Sequence, residues 1–158
     1  MNPPEIWTAG HVNRYHGNDN HSLRNSQDTN HQHSARVGLL LWHLWRDVPR
    51  DVLLYALMHD LAEKRTGDMS GEVKRENPLM AELLRQIERQ THDRIGTPVI
   101  DGVWAERVDL CDKLDAVLWA GSIDPALMHR HDWQNMIDRV VNRAYELGVG
   151  PEIEEMIE

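Results

Sequence analysis

Leu53-Leu54-Tyr55-Ala56-Leu57-Met58-His59-Asp60-Leu61-Ala62-Glu63-Lys64-Arg65-Thr66-Gly67-Asp68 joins an apolar helical run to a cluster of ligand-type side chains. Val52 and Ala56 precede His59 and Glu63 on one helical stripe, so an imidazole and a carboxylate stand where a core-forming helix carries Leu or Val. Such groups are tolerated in a core when paired, hydrogen-bonded or bound to metal. Glu63 lies four residues after His59 and three after Asp60, so all three converge at one end of one helix surface, and Asp68 follows in the turn. Pro49 suits the first turn of this helix, which is expected to run to about residue 65 and to end near Gly67 as a left-handed C-terminal residue.

The flanking sequence supplies further helices. Over residues 29–46, His33, Val37, Leu40, Leu41 and Leu44 keep helical spacing, which turns His33 toward the core, with Ser26, Asp28, Thr29 and Asn30 as candidate N-caps. Before it, residues 12–27 read as a polar loop carrying Arg14, Tyr15, His16, His21 and Arg24, and a long polar loop in a compact domain usually serves function. Residues 1–10 form a lead whose Ile6 and Trp7 could dock on the core. After the central stretch, residues 78–92 place Leu79 or Met80, Leu83, Leu84, Ile87 and Thr91 on one stripe, expected to be core. Gly96-Thr97-Pro98 breaks the chain, and residues 103–120 form a helix whose stripe of Trp104, Val108, Cys111, Leu118 and Trp119 is interrupted by Asp112 and Asp115. A fifth helix carries Trp133, Met136, Ile137, Val140, Val141 and Ala144 and closes near Gly148, before an acidic tail expected to be a solvated helix. With no alternating strand run and no repeat, the expected fold is all-α, a single domain with its core over 12–147 and its tail over 148–158.

Composition narrows the function. The chain has 158 residues, enough for one continuous core, and 41% hydrophobic with 27% charged residues marks a folded globular protein. A formal net charge of −9 argues against a polymeric nucleic-acid partner, whose affinity rests on Lys and Arg neutralising phosphates. It leaves room for a small anion held through a cation. The longest apolar run, interrupted by Gly38 and His43, is far short of the roughly twenty residues of a membrane span, so no membrane partner is expected. The residues after Met1 lack the pattern of a signal peptide, and Cys111 stands alone, both in keeping with a cytoplasmic location, in a host cell if the gene is viral. Trp7, Trp42, Trp45 and Trp133 supply apolar surface beyond one small core, which points to a homo-oligomer.

Three core-facing helices thus each offer ligand-type side chains: His33, then His59 and Asp60, then Asp112. Two imidazoles and two carboxylates form a mixed set suited to Zn, Mn, Co or Fe, with positions left for water and substrate. The sequence separation of these residues is too great for a local motif, so the helices must pack side by side.

His59-Asp60-Leu61-Ala62-Glu63, Thr66-Gly67-Asp68, Val73-Lys74, His33-Ser34 and Asp112-Lys113-Leu114 together resemble the HD-domain phosphohydrolases. The resemblance covers residues 14–121 and is to the branch containing bacterial 5′-deoxynucleotidases and phage dATP triphosphohydrolases. It implies an HD-type helical bundle with the metal site between central helices. It also implies metal ligation by His33, His59, Asp60 and Asp112, and positioning or deprotonation of the attacking water by Glu63, with Asp68 supporting the site or acting alongside Glu63 as a catalytic residue. Arg14 would grip phosphate, and Tyr15 would stack on the nucleoside where the family usually has Trp. Arg24, Lys64, Lys74 and Lys113 are further candidate clamps for phosphate charge, and an additional Mg on the phosphates is compatible with them. Gln32 replaces an acid that commonly precedes the His-Ser pair. Met69-Ser70-Gly71-Glu72 replaces a proline-rich turn, which puts Glu72 near the base. The activity implied is hydrolysis of deoxyribonucleoside 5′-phosphates. Cations on both sides of the metal helix favour a dATP-type triphosphohydrolase, the alternatives being a 5′-deoxynucleotidase acting on monophosphates and a noncatalytic nucleotide sensor.

Overall fold

The computed structural model describes residues 3–69 and 71–158, and among them regular structure is helical apart from one isolated bridge between Asn13 and Thr29. In chain order the helices are α1 (Pro3–Ala9), α2 (His21–Arg24), α3 (Asn30–Leu44), α4 (Arg50–Met58), α5 (Glu63–Thr66), α6 (Gly71–Glu76), α7 (Pro78–Ile95), α8 (Gly102–Ile123), α9 (His131–Glu146) and α10 (Gly150–Ile157), with a 3₁₀ turn over Pro125–His129. The all-α expectation is met. None of these helices is long and apolar enough to cross a membrane.

α8 is the axis. α3 and α4 pack against it and each other, while α9 and α10 pair and cover another of its faces. Val37 and Leu41 from α3, Val52 and Ala56 from α4, Val108, Cys111 and Leu114 from α8, Val140 from α9 and Ile153 from α10 bury a common core. Thr29 starts α3 with a capping box: its side chain accepts from the Gln32 N–H, and Gln32 Oε1 accepts from the Thr29 N–H at 2.9 Å. Gln32 therefore has a structural task at its position.

The helix expected to continue to residue 65 instead breaks after Met58. Over the next turn, backbone N–H groups of Leu61, Glu63, Lys64 and Arg65 bond carbonyls three residues back, tightening the chain as a 3₁₀ segment does. Asn30 Nδ2, at the start of α3, donates to the Asp60 carbonyl at 3.3 Å. Gly67 ends α5 at φ 73° and ψ 160°, a positive-φ conformation that Gly adopts readily, extended rather than the left-handed helical turn expected of it.

Other departures follow from packing. The α7 stripe is not core: Leu79 is 90% exposed and Leu83 57%, with Leu84 and Thr91 buried, because α7 lies at the edge of the bundle. The acidic tail is docked rather than solvated all round, with Ile153 fully buried and Met156 and Ile157 packed on the core. Trp7 does not dock, being 74% exposed, and Trp45 is buried beneath Arg107. Of the tryptophans assigned to self-association, Trp7 and Trp42 are the ones that present wide surface. Residues 12–27 are anchored by the short helix α2, whose Leu23 is fully buried.

Candidate metal and phosphate site

The break after α4 and the packing of α3 on α8 bring His33, His59, Asp60 and Asp112 to one place. The Nε2 atom of His33 lies 3.0 Å from Asp112 Oδ1 and 3.5 Å from Asp60 Oδ2, and His59 Nε2 lies 3.3 Å from Asp60 Oδ1. The two imidazole rings meet edge to face at 5.2 Å. Ligand atoms of His33, His59 and Asp60 all lie within 4.8 Å of one another. Asp112 stands outside that trio and approaches it through His33.

Each imidazole has one nitrogen committed and one left over. His33 Nδ1 donates to Asp115 Oδ2 at 2.7 Å, and His59 Nδ1 donates to the Ala56 carbonyl at 2.7 Å. Both Nε2 atoms are buried and face carboxylate oxygens, His33 toward Asp112 and Asp60 and His59 toward Asp60, without a hydrogen bond of good geometry. Buried polar nitrogens rarely stay unpaired, and carboxylate oxygens gathered around two such lone pairs form a donor set that fits a divalent cation. Burial works to keep His33 neutral, but the Asp112 and Asp115 carboxylates outweigh it and raise its pKa to about 9. Burial also opposes charge on Asp112, yet His33, His59 and Arg14 hold that carboxyl down at about 2.

Glu63 stands at the edge of this cluster. Asn30 Nδ2 donates to its Oε2 at 2.8 Å. Burial and then the charge of Asp60 push the Glu63 carboxyl up to about 8, Asp68 adding to this while the Asn30 bond and Lys74 pull it down.

Behind His33 lies a charged network that sequence reasoning missed as a unit. Arg36 donates from Nε to Asp115 Oδ1 at 2.6 Å and from Nη2 to both Asp28 oxygens at 2.9 Å. Arg14 Nη1 reaches Asp28 Oδ2 at 3.1 Å and Asp115 Oδ2 at 3.3 Å. Asp28 and Asp115 are buried, and two guanidinium groups balance their two charges. The signals were spacing alone: Arg36 is one helical turn beyond His33, and Asp115 one turn beyond Asp112.

Arg14 and Tyr15 line a cavity of about 560 Å³ together with Asp68. Asp68 Oδ2 accepts the Tyr15 backbone N–H at 2.9 Å, so this carboxylate pins the loop. Tyr15 sits at φ 58°, a left-handed conformation uncommon outside Gly, and strain of this kind persists where surroundings enforce it. The other candidates separate. Lys74 acts on Glu63 through its charge and lies in a neighbouring cleft with Arg75 and Glu88. Lys64 donates to Thr8 Oγ1 and the Glu5 carbonyl, Lys113 pairs with Asp109, and Arg24 reaches the Asn18 carbonyl, so these three are turned to local partners. Ser70 and the side chain of Glu72 lie outside the described residues.

No curated protein and no solved structure matches the chain. A family model, 5′-deoxynucleotidase YfbR-like, matches residues 11–101, which include Arg14, Tyr15, His33, His59, Asp60, Glu63, Asp68 and Lys74. More than half of the sequence lies in that match, and the chain belongs to the YfbR-like 5′-deoxynucleotidase family, metal-dependent hydrolases of the HD-domain class.

Proposed function

We propose that the protein hydrolyses deoxyribonucleoside 5′-monophosphates to deoxynucleoside and phosphate. The observation that carries this reading is the pair of buried Nε2 atoms of His33 and His59 turned toward the Asp60 and Asp112 carboxylates, with Glu63 alongside. In this reading His33, His59, Asp60 and Asp112 hold one divalent cation, of the Zn, Co, Mn or Fe type. When bound, the ion supplies Lewis acidity to a phosphoryl oxygen and to water. Glu63, with Oε2 fixed by Asn30, accepts the proton of the attacking water. Arg14 faces the phosphate from the cavity side, its Nη1 braced by Asp28 and Asp115. Asp68 acts on position rather than chemistry, by holding the backbone of Tyr15.

The family match favours a monophosphate over the triphosphate preference drawn from flanking cations. Lys64 and Lys113, two of the cations needed to span a polyphosphate, have local partners. Incubating metal-loaded protein with dAMP and dATP separately tests the choice: dAMP should yield deoxyadenosine and phosphate while dATP persists. Triphosphate released from dATP, with dAMP intact, would overturn it.

Asp115 is assigned as the residue that orients His33. Its carboxylate fixes the Nδ1–H tautomer and so leaves Nε2 as the ligand atom. Asp115→Asn should weaken metal affinity by about 10- to 100-fold, measured by competition with a chromophoric chelator, with far-UV circular dichroism retained. Unchanged affinity would remove the assignment.

A further inference from the structure

The cavity beside Arg14 is larger than a phosphate requires, and at about 560 Å³ it falls in the range of small-molecule sites. Its far wall is built by Ala116 of α8 and by Trp133, Met136 and Arg139 of α9. Ala116, Trp133, Met136 and Arg139 all lie beyond residue 101, outside the matched segment.

We infer that this wall is a purine subsite, in which Trp133 stacks on the base and Arg139 meets an acceptor on its edge. The inference rests on the deoxynucleotide reading above and names the bases it favours. Ala116 follows Asp112 by one helical turn on the same face, so this part of the cavity wall lies one turn along α8 from a residue of the ligand cluster. Arg14 belongs to both regions: Nη1 is bonded to Asp115, which holds His33, while the side chain lines the cavity. A 5′-phosphate at Arg14 therefore leaves sugar and base the cavity to occupy.

The wall has the chemistry of a base platform. Trp133 and Tyr15 both pack from behind against the cluster of Leu23, Ala120 and Leu127 and both line the cavity, so their rings are positioned before a ligand arrives. Met136 and Ala116 extend the apolar surface. A two-ring base covers more of it than a one-ring base. The cations divide their tasks. Arg130 is committed to Asp132 by bonds of 3.1 and 3.0 Å. Arg139 gives Nε to the Asn135 carbonyl on its own helix at 3.1 Å and makes no ion pair among the described residues, which leaves its Nη groups for a ligand. Purines carry the ring acceptor N7, which pyrimidines lack.

The test compares kcat/KM of the metal-loaded chain for dGMP, dAMP, dCMP, dTMP and deoxyribose 5-phosphate. Purine nucleotides should lead pyrimidine nucleotides by about tenfold, the order that base–aromatic stacking brings. Trp133→Leu and Arg139→Ala should each move the purine-to-pyrimidine ratio toward one. Equal values in the unmodified protein, or a preference that survives both substitutions, would overturn the subsite while leaving the phosphatase standing. Should no nucleotide be hydrolysed, the proposed function falls, and fluorescence still decides the subsite: deoxyadenosine should quench the metal-free protein, and Trp133→Phe should remove that quench. Absence of quenching in the unmodified protein would count against the subsite whatever the activity.

Discussion

Glu63→Gln should lower kcat by about 10²- to 10⁴-fold, the range that a positioned proton acceptor supplies, while metal content by elemental analysis stays the same. The amide keeps the shape and can still accept from Asn30 Nδ2, whose bond to Oε2 measures 2.8 Å, but it has no basic oxygen for a water proton. Retained turnover would show that another group takes the proton. The same substitution should change the pH dependence of stability without metal. The Glu63 carboxyl is held at about 8 in the folded chain against an ordinary 4.5, so its contribution is intact below about 4.5 and is lost as pH rises through 8. His33, raised to about 9, acts with the same sign. Thermal melts of metal-free protein should therefore shift down between pH 5 and pH 9, and less steeply for Glu63→Gln. Identical slopes for both proteins would contradict the burial argument.

Asp28→Ala should cost about 3–5 kcal/mol of folding stability, as the breaking of a buried ion pair does. Asp28 is fully buried and accepts from Arg36 and from Arg14, so its loss leaves two guanidinium groups sharing Asp115. Removing one carboxylate strands positive charge in a region already shielded from water. Urea unfolding followed by tryptophan fluorescence gives the measurement through the midpoint at constant slope. A loss under about 1 kcal/mol would mean that water reaches these arginines and relieves them.

The helical class was legible because apolar spacing carries it, and Val37 with Leu41, Val52 with Ala56, and Val108 with Cys111 do bury their stripes. The same spacing misled on α7. Leu79 and Leu83 keep the period of a buried face, but period cannot say whether a neighbour covers that face. The break after Met58 was hidden for a different reason: the Asp60 carbonyl in it is met by Asn30 of another helix, a contact between residues thirty apart. For the site, residue chemistry foretold that His33, His59, Asp60 and Asp112 should meet, and the distances satisfy that geometry. Asp115 was read as an interruption of a stripe, and Arg36 passed unnoticed. Their importance lies in which atoms face each other across α3 and α8, and spacing within one helix does not contain it. Glu63 and Asp68 shared one expectation of chemistry, yet Asp68 spends an oxygen on a backbone amide.

The network joining Arg14 and Asp28 to Asp115 spans most of the chain. Contacts between such distant residues close late, since loop entropy must be met before they reward the chain. On a ribosome, the segment through α7 could emerge and coil without owning a competent centre, because Asp112 and Asp115 arrive with α8. A chain that stops short of α8 lacks both Asp112 and the carboxylate that holds His33, so the cluster is completed only when α8 packs on α3.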